Sequence, residues 1–359
     1  MKITHILNEV REIGNGIVNV AVDLACLQAA LGHEVLVISS GGEYETLLAA
    51  HGVKHIAVNQ SRRAGNIIRA IWAIERIFQE FRPNIVHAHM MTGAVISTLL
   101  KCRHSYMLVT TVHNEYQRSA VLMGLGDRVV AVSEAVGHAM RRRGIPGNRI
   151  RVVRNGTIGS PRRTPLPEVS PAELRRPAIV TVGAVSPRKG SDILIEAFSM
   201  TCEALPDAHL YFVGNRDWPE VEELVKQKNL EERVHFVGFE PQPQRYIMNS
   251  DVFVLPSLRE PFGLVLIEAR EVGIPIIASD VEGIPEALSG GKAGILIPPG
   301  APVALSIELK RLLANNRSRK EWSRATQEGL EEFTAEQMNL RYMEVYEEVL
   351  SYNEKPSAD

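Results

Sequence analysis

Apolar positions along the chain follow two alternating periods. Short runs rich in β-branched residues, typical of buried strands, are separated by stretches whose apolar residues recur every three to four positions, as in helices. This rhythm predicts parallel sheets covered by helices. In the first half we expect strands at residues 3–7, 34–38, 85–87, 108–112 and 128–132, and helices near residues 18–31 and 66–81.

The rhythm stops in residues 157–177, a segment rich in Pro, Arg and Ser. Proline fixes an extended backbone, so the segment is interpreted as a linker. The rhythm then restarts, and we expect strands at residues 179–182, 209–213, 234–237, 252–255, 274–278 and 294–297, and helices from Ser191, near residues 219–228 and from Gly263. We therefore predict two doubly wound α/β domains at residues 1–160 and 178–334, joined by a linker at 161–177.

The last helical stretch, residues 335–350, has an apolar face. Its apolar residues fall at helical spacing and are Met338, Tyr342, Val345, Tyr346 and Val349. Such a face is expected to pack against an apolar surface, because large side chains left in water lose transfer free energy.

The composition is that of a globular protein, with 45% hydrophobic and 23% charged residues among 359. No run approaches the roughly 20 apolar residues of a membrane-spanning helix, and the first residues do not resemble a signal peptide. Three cysteines far apart, and never in a Cys-x-x-Cys pair, indicate neither a disulfide framework nor a zinc site. We expect a cytoplasmic protein.

The net charge of −2 is unevenly distributed. Residues 1–175 contain 21 Lys/Arg and 13 Asp/Glu, a net charge of +8, including Arg62-Arg63, Arg141-Arg142-Arg143 and Arg162-Arg163. A basic face would attract anionic lipid headgroups or a phosphorylated acceptor, so peripheral contact with the inner face of the membrane is one expectation. The alternative is a solvated charged surface. No nucleic-acid partner is expected.

A glycine-rich segment lies between the first strand and the first helix, where Gly14 and Gly16 would let backbone amides approach a phosphate. It fails as a dinucleotide fingerprint, because the third glycine position is Asn19 and the second strand ends without an acidic residue. A NAD-dependent dehydrogenase is therefore disfavoured. Gly16 remains a candidate donor-binding residue, with a structural turn as the alternative.

Residues 260–268, with the sequence EPFGLVLIE, follow a predicted strand and open a helix. The helix N-terminus near Gly263 would present free amides to a phosphate, and Glu268, about one and a half turns in, could accept hydrogen bonds from a ribose. Glu260 could reach sugar hydroxyls. Phe262 and Leu264 complete this candidate donor site; solvated helix charges are the alternative.

This segment resembles the E-x7-E motif of retaining glycosyltransferases of family 4, which have the GT-B fold. Residues 182–190 (VGAVSPRKG) resemble the family's phosphate-binding loop, residues 85–89 and 111–114 its histidine segments, and residues 154–156 the turn before its linker. The resemblance implies two Rossmann-like domains facing each other across a cleft. It also implies that the C-terminal helix, residues 335–359, crosses back to the first domain. The first domain would bind the acceptor and the second the donor.

The resemblance assigns further roles. Lys189 would bind the diphosphate, and His113, which a parallel sheet places at a strand end, would contact the donor sugar near the reacting carbon. The arginine that the family usually places after the loop glycine is replaced by Ala184, and we predict that Arg188 supplies this charge; a surface arginine is the alternative. His87 and His89 are predicted to be structural, with His89 near the cleft.

No Asp-x-Asp pair occurs in the sequence, so we predict transfer without a metal ion and without a cofactor. The predicted function is a retaining glycosyltransferase with His113, Lys189 and Glu260 as catalytic residues. Its donor would be a nucleotide diphosphate sugar, UDP by default, and its acceptor a glycan, a lipid-linked or a small molecule. The alternatives are a nucleotide-sugar epimerase and a non-catalytic sugar-nucleotide binding protein.

Overall fold

The computed structural model describes residues 1–61 and 63–353 and contains two compact units. Unit 1 comprises Met1–Arg162 together with the chain from Phe333 onward, and unit 2 comprises Arg163–Glu332. Each unit is a parallel sheet with helices, as the alternating pattern predicts. None of the helices in the described ranges is long and apolar enough to cross a membrane.

Unit 1 is built on seven parallel strands in the order β3-β2-β1-β4-β5-β6-β7. The strands are β1 (Lys2–Ile6), β2 (Glu34–Ser39), β3 (Lys54–Ala57), β4 (Ile85–Ala88), β5 (Met107–Val112), β6 (Arg128–Ala131) and β7 (Ile150–Val152). The helices are α1 (Gly16–Ala30), α2 (Glu45–Ala50), α3 (Ala64–Phe81), α4 (Met91–Leu100), α5 (Glu134–Arg142) and, from the chain end, α13 (Ala335–Asn353). The predicted strands are all present, and β3 and β7 are additional edge strands.

Unit 2 is built on six parallel strands in the order β10-β9-β8-β11-β12-β13. The strands are β8 (Ala178–Val182), β9 (His209–Val213), β10 (Val234–Gly238), β11 (Val252–Leu255), β12 (Ile276–Ser279) and β13 (Ile295–Ile297). The helices are α6 (Ser191–Cys202), α7 (Glu220–Gln227), α8 (Gln244–Ile247), α9 (Leu264–Val272), α10 (Ile284–Ala287), α11 (Pro302–Ala314) and α12 (Asn316–Thr326).

The strand order reverses once in each sheet, between β1 and β4 in unit 1 and between β8 and β11 in unit 2. These central strands are almost entirely buried, because helices cover both faces of a parallel sheet. Open sheets of this kind bind ligands beyond the carboxyl ends of the strands at the reversal. Each unit therefore has one topologically defined place for a site.

The C-terminal helix α13 packs on unit 1, which confirms the predicted return of the chain. Its contacts include α1, and the carboxylate of Glu348 binds Arg128 Nη2 at 3.1 Å and Arg151 Nε at 2.8 Å. The predicted apolar face is buried throughout, at Met338, Tyr342, Val345, Tyr346 and Val349.

The returning chain meets the outgoing chain directly after the predicted 154–156 turn. The Thr157 amide donates to the Phe333 carbonyl at 2.9 Å, and the Ala335 amide donates to the Ile158 carbonyl at 2.8 Å. A Cβ on Gly156 would lie 2.2 Å from the Thr334 carbonyl oxygen. A glycine is therefore required for this close crossing.

Most of the segment predicted as a linker belongs to unit 2, since the division falls between Arg162 and Arg163. Its backbone is hydrogen-bonded there: the Ala172 amide donates to the Arg245 carbonyl at 2.8 Å, and the Arg175 amide donates to Tyr211 Oη at 2.8 Å. The prolines do keep the chain irregular. Their extended backbone nevertheless finds hydrogen-bond partners within unit 2, as buried backbone groups in native proteins usually do.

The predicted basic face is only partly present. Arg162 binds the carboxylate of Asp23 through Nε at 2.8 Å and Nη2 at 2.7 Å, and Arg163 binds Glu271 at 2.7 Å; both arginines are buried. Buried charges require such partners, which removes these two residues from the surface. Arg62 lies outside the described residues. Because α13 adds acidic residues, unit 1 as a whole has 21 Lys/Arg and 17 Asp/Glu, a net charge of +4.

Candidate active site

A pocket in unit 2 lies at the carboxyl ends of β8 and β11, where the strand order reverses. The sequence predicts a phosphate-binding loop at this position. The lining residues are Thr181, Val182, Gly183, Ala184, Lys189, Ser191, Leu194, Phe212, Leu255 and Pro256.

Two glycines allow the loop after β8 to close tightly on β11. Gly190 has a positive φ of 67°, and a Cβ there would lie 2.1 Å from the Pro256 carbonyl oxygen. Gly183 has φ 138°, and its Cβ position would lie 3.4 Å from Cε of Lys189. The Lys189 side chain thus passes over a residue without a side chain, which leaves its amine at the pocket.

Lys189 and Glu260 form an ion pair, with Nζ and Oε2 2.5 Å apart and side chains only 17% and 10% exposed. The Glu260 backbone is fixed on both sides: its amide donates to Glu282 Oε2 at 2.8 Å, and its carbonyl accepts from the Gly283 amide at 3.1 Å. Partial burial strengthens the attraction between the two charges. The sequence predicts both residues as site residues, and the structure brings them together.

Helix α9 begins at Leu264 directly after Gly263, which has φ 89°. Among the described residues no side chain caps this end, so its first amides can bind an anion. Glu268 lies further along the same helix and is buried. Phe262, predicted to contact the donor, is only 2% exposed, because its apolar side chain packs in the interior.

Two other residues predicted for the donor site, Arg188 and Gly16, do not line the pocket. Arg188 is exposed and donates from Nη1 to the Arg259 carbonyl at 3.1 Å, whereas Ala184 lines the pocket. Gly16, predicted to precede the first helix, is the first residue of α1. The side chain of Asn15 caps that helix by accepting from the Ile17 amide at 3.0 Å, so part of the helix end is already occupied.

In unit 1, His89 follows β4, at the strand reversal, and His113 follows the neighbouring strand β5. His113 Nε2 lies 3.2 Å from His89 Nδ1. Burial lowers the pKa of His113 to about 3. The imidazole is therefore neutral near pH 7, and it can exchange hydrogen bonds with sugar hydroxyls but cannot act as a fixed positive charge.

Two family models match successive parts of the chain. The model described as Glycosyltransferase Family 4 matches residues 14–157, and the model described as Glycosyl transferases group 1 matches residues 163–329. The chain belongs to this glycosyltransferase family. One relative is the phosphatidyl-myo-inositol mannosyltransferase of Mycobacterium leprae, 32% identical over 173 residues, which cover 47% of this chain and 46% of the relative. The chain spans about half the length of the curated relatives it matches first.

Solved structures agree over nearly the whole chain. A glycosyltransferase from Rickettsia africae superposes with a TM-score of 0.83 at 22% identity, covering 97% of this chain and 98% of that one. The Anabaena protein HepE, solved with UDP-glucose, superposes with a TM-score of 0.82 at 21% identity, covering 97% and 100%. These matches confirm the predicted GT-B fold class.

The structure adds a third histidine to the pair that was predicted to be structural. His5 in β1 lies opposite His87 in β4, and together with His89 these residues place ligand atoms within 4.8 Å of one another. This spacing suits a metal ion, and the sequence did not single out His5. The overlooked signal is the sheet order, because β1 and β4 are neighbours.

Hydrogen bonds nevertheless occupy both nitrogens of each of these rings. His5 contacts His89 and Gln28, His89 contacts His5 and His113, and His87 contacts Tyr346 Oη and Thr111 Oγ1, each at 2.7 Å. Burial lowers the pKa of His5 to about 4 and that of His87 and His89 well below 6.5. We interpret these residues with His113 as a neutral, hydrogen-bonded histidine cluster.

Proposed function

We propose that this protein transfers a sugar from a nucleotide diphosphate sugar to an acceptor hydroxyl, with retention of configuration and without a metal ion. One observation carries the proposal: the Lys189–Glu260 pair lies beside a glycine-lined pocket at the strand reversal of unit 2, and Glu260 lies four residues before the first residue of α9. A cation and helix amides suit a diphosphate.

The ion pair itself suggests how the donor is bound. An arriving diphosphate competes with Glu260 for the Lys189 amine, and the carboxylate is then available to accept hydrogen bonds from sugar hydroxyls. Glu268, further along α9, would bind the ribose. HepE, which shares this fold, was solved with UDP-glucose, and this supports UDP as the nucleotide.

In the proposed reaction, the bond between the anomeric carbon and the diphosphate oxygen breaks as the acceptor oxygen bonds to the same face of that carbon. The acceptor's proton passes to the departing phosphate oxygen, so charge and atoms balance. Negative charge grows on the diphosphate in the transition state, where Lys189 and the α9 amides stabilise it, each by a few kcal/mol at most. Arg188 would add charge at the rim, and His113 would contact the sugar.

The acceptor is proposed to be a glycan, a lipid-linked or a small molecule with a free hydroxyl. The name of the mycobacterial relative, a phosphatidyl-myo-inositol mannosyltransferase, supports a lipid-linked acceptor. Release of nucleotide diphosphate from UDP-, GDP- and ADP-sugars, with and without acceptor, tests the proposal. We expect acceptor-dependent release from one nucleotide class. Conversion of the sugar without acceptor would indicate an epimerase, and binding without turnover a non-catalytic protein.

We also propose that unit 1 contacts anionic membranes through the outward face of α3. This face exposes Trp72 (69%) and Ile68 (58%) beside the exposed Arg69, a combination that suits the headgroup region. Vesicles with and without an anionic lipid provide the test. We expect salt-sensitive binding that Trp72→Ser weakens and that Val303→Ser, at an exposed apolar residue on unit 2, leaves unchanged. Equal binding by both variants would contradict it.

A further inference from the structure

The histidine cluster contains a continuous line of hydrogen bonds that leads from His113 into the core of unit 1. His113 Nε2 lies 3.2 Å from His89 Nδ1, and His89 Nε2 lies 2.9 Å from His5 Nδ1. His5 Nε2 lies 2.8 Å from the side-chain oxygen of Gln28 on α1. All four residues are buried, so each hydrogen bond is shielded from competing water.

The last member of this line determines the direction of all the others. A neutral imidazole has one N–H donor and one acceptor nitrogen, whereas an amide oxygen only accepts. His5 must therefore donate from Nε2 to Gln28, which leaves its Nδ1 to accept from Nε2 of His89. The same reasoning places the hydrogen of His113 on Nε2. Its Nδ1, which makes no hydrogen bond within the described part of the chain, is then an acceptor.

The Gln28 amide is held on its other side as well. Its Nε2 donates to Tyr346 Oη at 3.5 Å, and that hydroxyl lies 2.7 Å from His87 Nδ1. The tyrosine belongs to α13. The amide oxygen faces His5 and the amide nitrogen faces Tyr346; because imidazoles and hydroxyls can each donate or accept, this orientation of the amide sets the direction of the line. Turning the amide over would reverse the donor and acceptor in every hydrogen bond of the line.

We propose that Gln28 is a positioning residue for sugar transfer: it holds His113 as the Nε2–H tautomer, so that Nδ1 accepts a hydrogen bond from a hydroxyl of the donor sugar. This inference rests on the proposed contact between His113 and the sugar. Gln28 acts only through His5 and His89. A sugar hydroxyl can always donate, so a histidine fixed as an acceptor selects hydroxyl over an acceptor-only group.

Nitrogen-15 NMR of histidine-labelled wild-type protein measures the tautomers directly and needs no substrate. We expect His5, His89 and His113 each to be protonated at Nε2 only, with the His113 signal identified by its loss in His113→Asn. A His113 protonated at Nδ1, or a mixture of both forms, would overturn the proposal. Because this measurement does not depend on turnover, it can fail or succeed independently of the proposed glycosyltransferase activity.

Two variants test the role of the amide. Gln28→Met keeps the length of the side chain but removes the acceptor, and Gln28→Glu keeps an acceptor toward His5. We expect mixed tautomers at His113 in Gln28→Met, with the KM for the donor sugar raised about three- to tenfold, the effect of one hydrogen bond, and the Kd for free UDP unchanged. Gln28→Glu should keep His113 in the Nε2–H form, as in the wild-type protein. An unchanged tautomer in Gln28→Met would exclude the role, and His138→Gln, at an exposed histidine, controls for unspecific effects.

Discussion

Both sheets reverse their strand order once, but different side chains lie at and beside the two reversal points. In unit 1 His89 follows β4 at the reversal and His113 follows the neighbouring β5, and both are buried, uncharged and hydrogen-bonded to other side chains. In unit 2 the ends of β8 and β11 are followed by loops that contain Gly183, Gly190 and Gly263 and by a pair of full charges, Lys189 and Glu260. The same topology thus presents neutral groups in one unit and ionic groups in the other.

The difference follows from the partners available to a charge. A full charge in the histidine cluster would lose its hydration without gaining an opposite charge, so the neutral imidazole is favoured there. In unit 2 the Lys189 amine is paired with the Glu260 carboxylate. Neutral hydrogen-bonding groups suit sugar hydroxyls, and a cation suits a diphosphate. We accordingly propose that the histidines of unit 1 contact the sugar and that Lys189 of unit 2 binds the diphosphate.

The largest effect is expected from deleting residues 335–359, which should destabilise unit 1 and leave the stability of unit 2 unchanged. The buried face of α13 contributes about 1.5 to 3 kcal/mol for each large side chain, comparable in sum to the stability of a whole domain. Hydrogen exchange followed along the chain should show loss of protection in β1, β4 and β5, with β8 and β11 as internal controls. Equal protection in both units would contradict the packing of α13.

A loss of turnover of about 10² to 10³-fold is expected for Lys189→Ala, because charge on the leaving diphosphate grows in the transition state. Glu268→Ala should instead mainly weaken nucleotide binding, since ribose contacts persist through the reaction. Steady-state kinetics and UDP titrations separate the two. Lys228→Ala, which breaks another Lys–Glu pair in unit 2, should have no effect on turnover. Unchanged kinetics in both site variants would refute the donor site.

Acidification should destabilise unit 1 more than unit 2. The buried histidines have pKa values below the 6.5 of an exposed imidazole, at about 4 for His5 and about 3 for His113. Below pH 6.5 the unfolded chain binds more protons than the folded protein. The free energy of unfolding therefore decreases as the pH is lowered, by at most about 1.4 kcal/mol per pH unit for each histidine, until the pH reaches the pKa of that histidine in the folded protein. Hydrogen exchange at pH 7, 6 and 5 measures the loss of protection in each unit. A greater loss of protection in unit 2, whose His209 and His235 are only half-buried, would contradict this prediction.

His113→Ala should lower turnover by about ten- to a hundredfold with the fold intact, the range expected for one or two lost hydrogen bonds in a site. Its matched control is His138→Ala, which removes an exposed histidine of the same unit. Circular dichroism would establish that both variants are folded. Wild-type rates in His113→Ala would return this residue to a purely structural role.

The smallest effect is expected from chelation. Because the proposed site neutralises the diphosphate with Lys189 and helix amides, EDTA should leave turnover essentially unchanged. A complete loss of activity that magnesium or manganese restores would show that unit 2 lacks sufficient positive charge of its own.

Much of the fold could be predicted because the central strands are continuous apolar runs. The edge strands β3 and β7 were not predicted, since β3 has mostly exposed side chains and β7 has only three residues. Within the site, the residue types were predictable from motifs, but contacts between distant segments were not. The Lys189–Glu260 pair joins residues 71 positions apart, and the line from His113 to Gln28 requires the strand order. Arg162 was misjudged for the same reason, because Asp23 is far away in sequence.

The return of α13 to unit 1 has a consequence for synthesis of the chain. A ribosome that has completed residues 1–162 has still to make all of unit 2 before Tyr342 and Tyr346 emerge, which takes about 10 to 30 seconds at about 5 to 20 residues per second. During that interval the surface of unit 1 that will bind α13 is exposed to solvent, and the histidine cluster beneath it is accessible to water. Unit 2 is contiguous and lacks this delay, so the part of the protein translated second is able to reach its native state first.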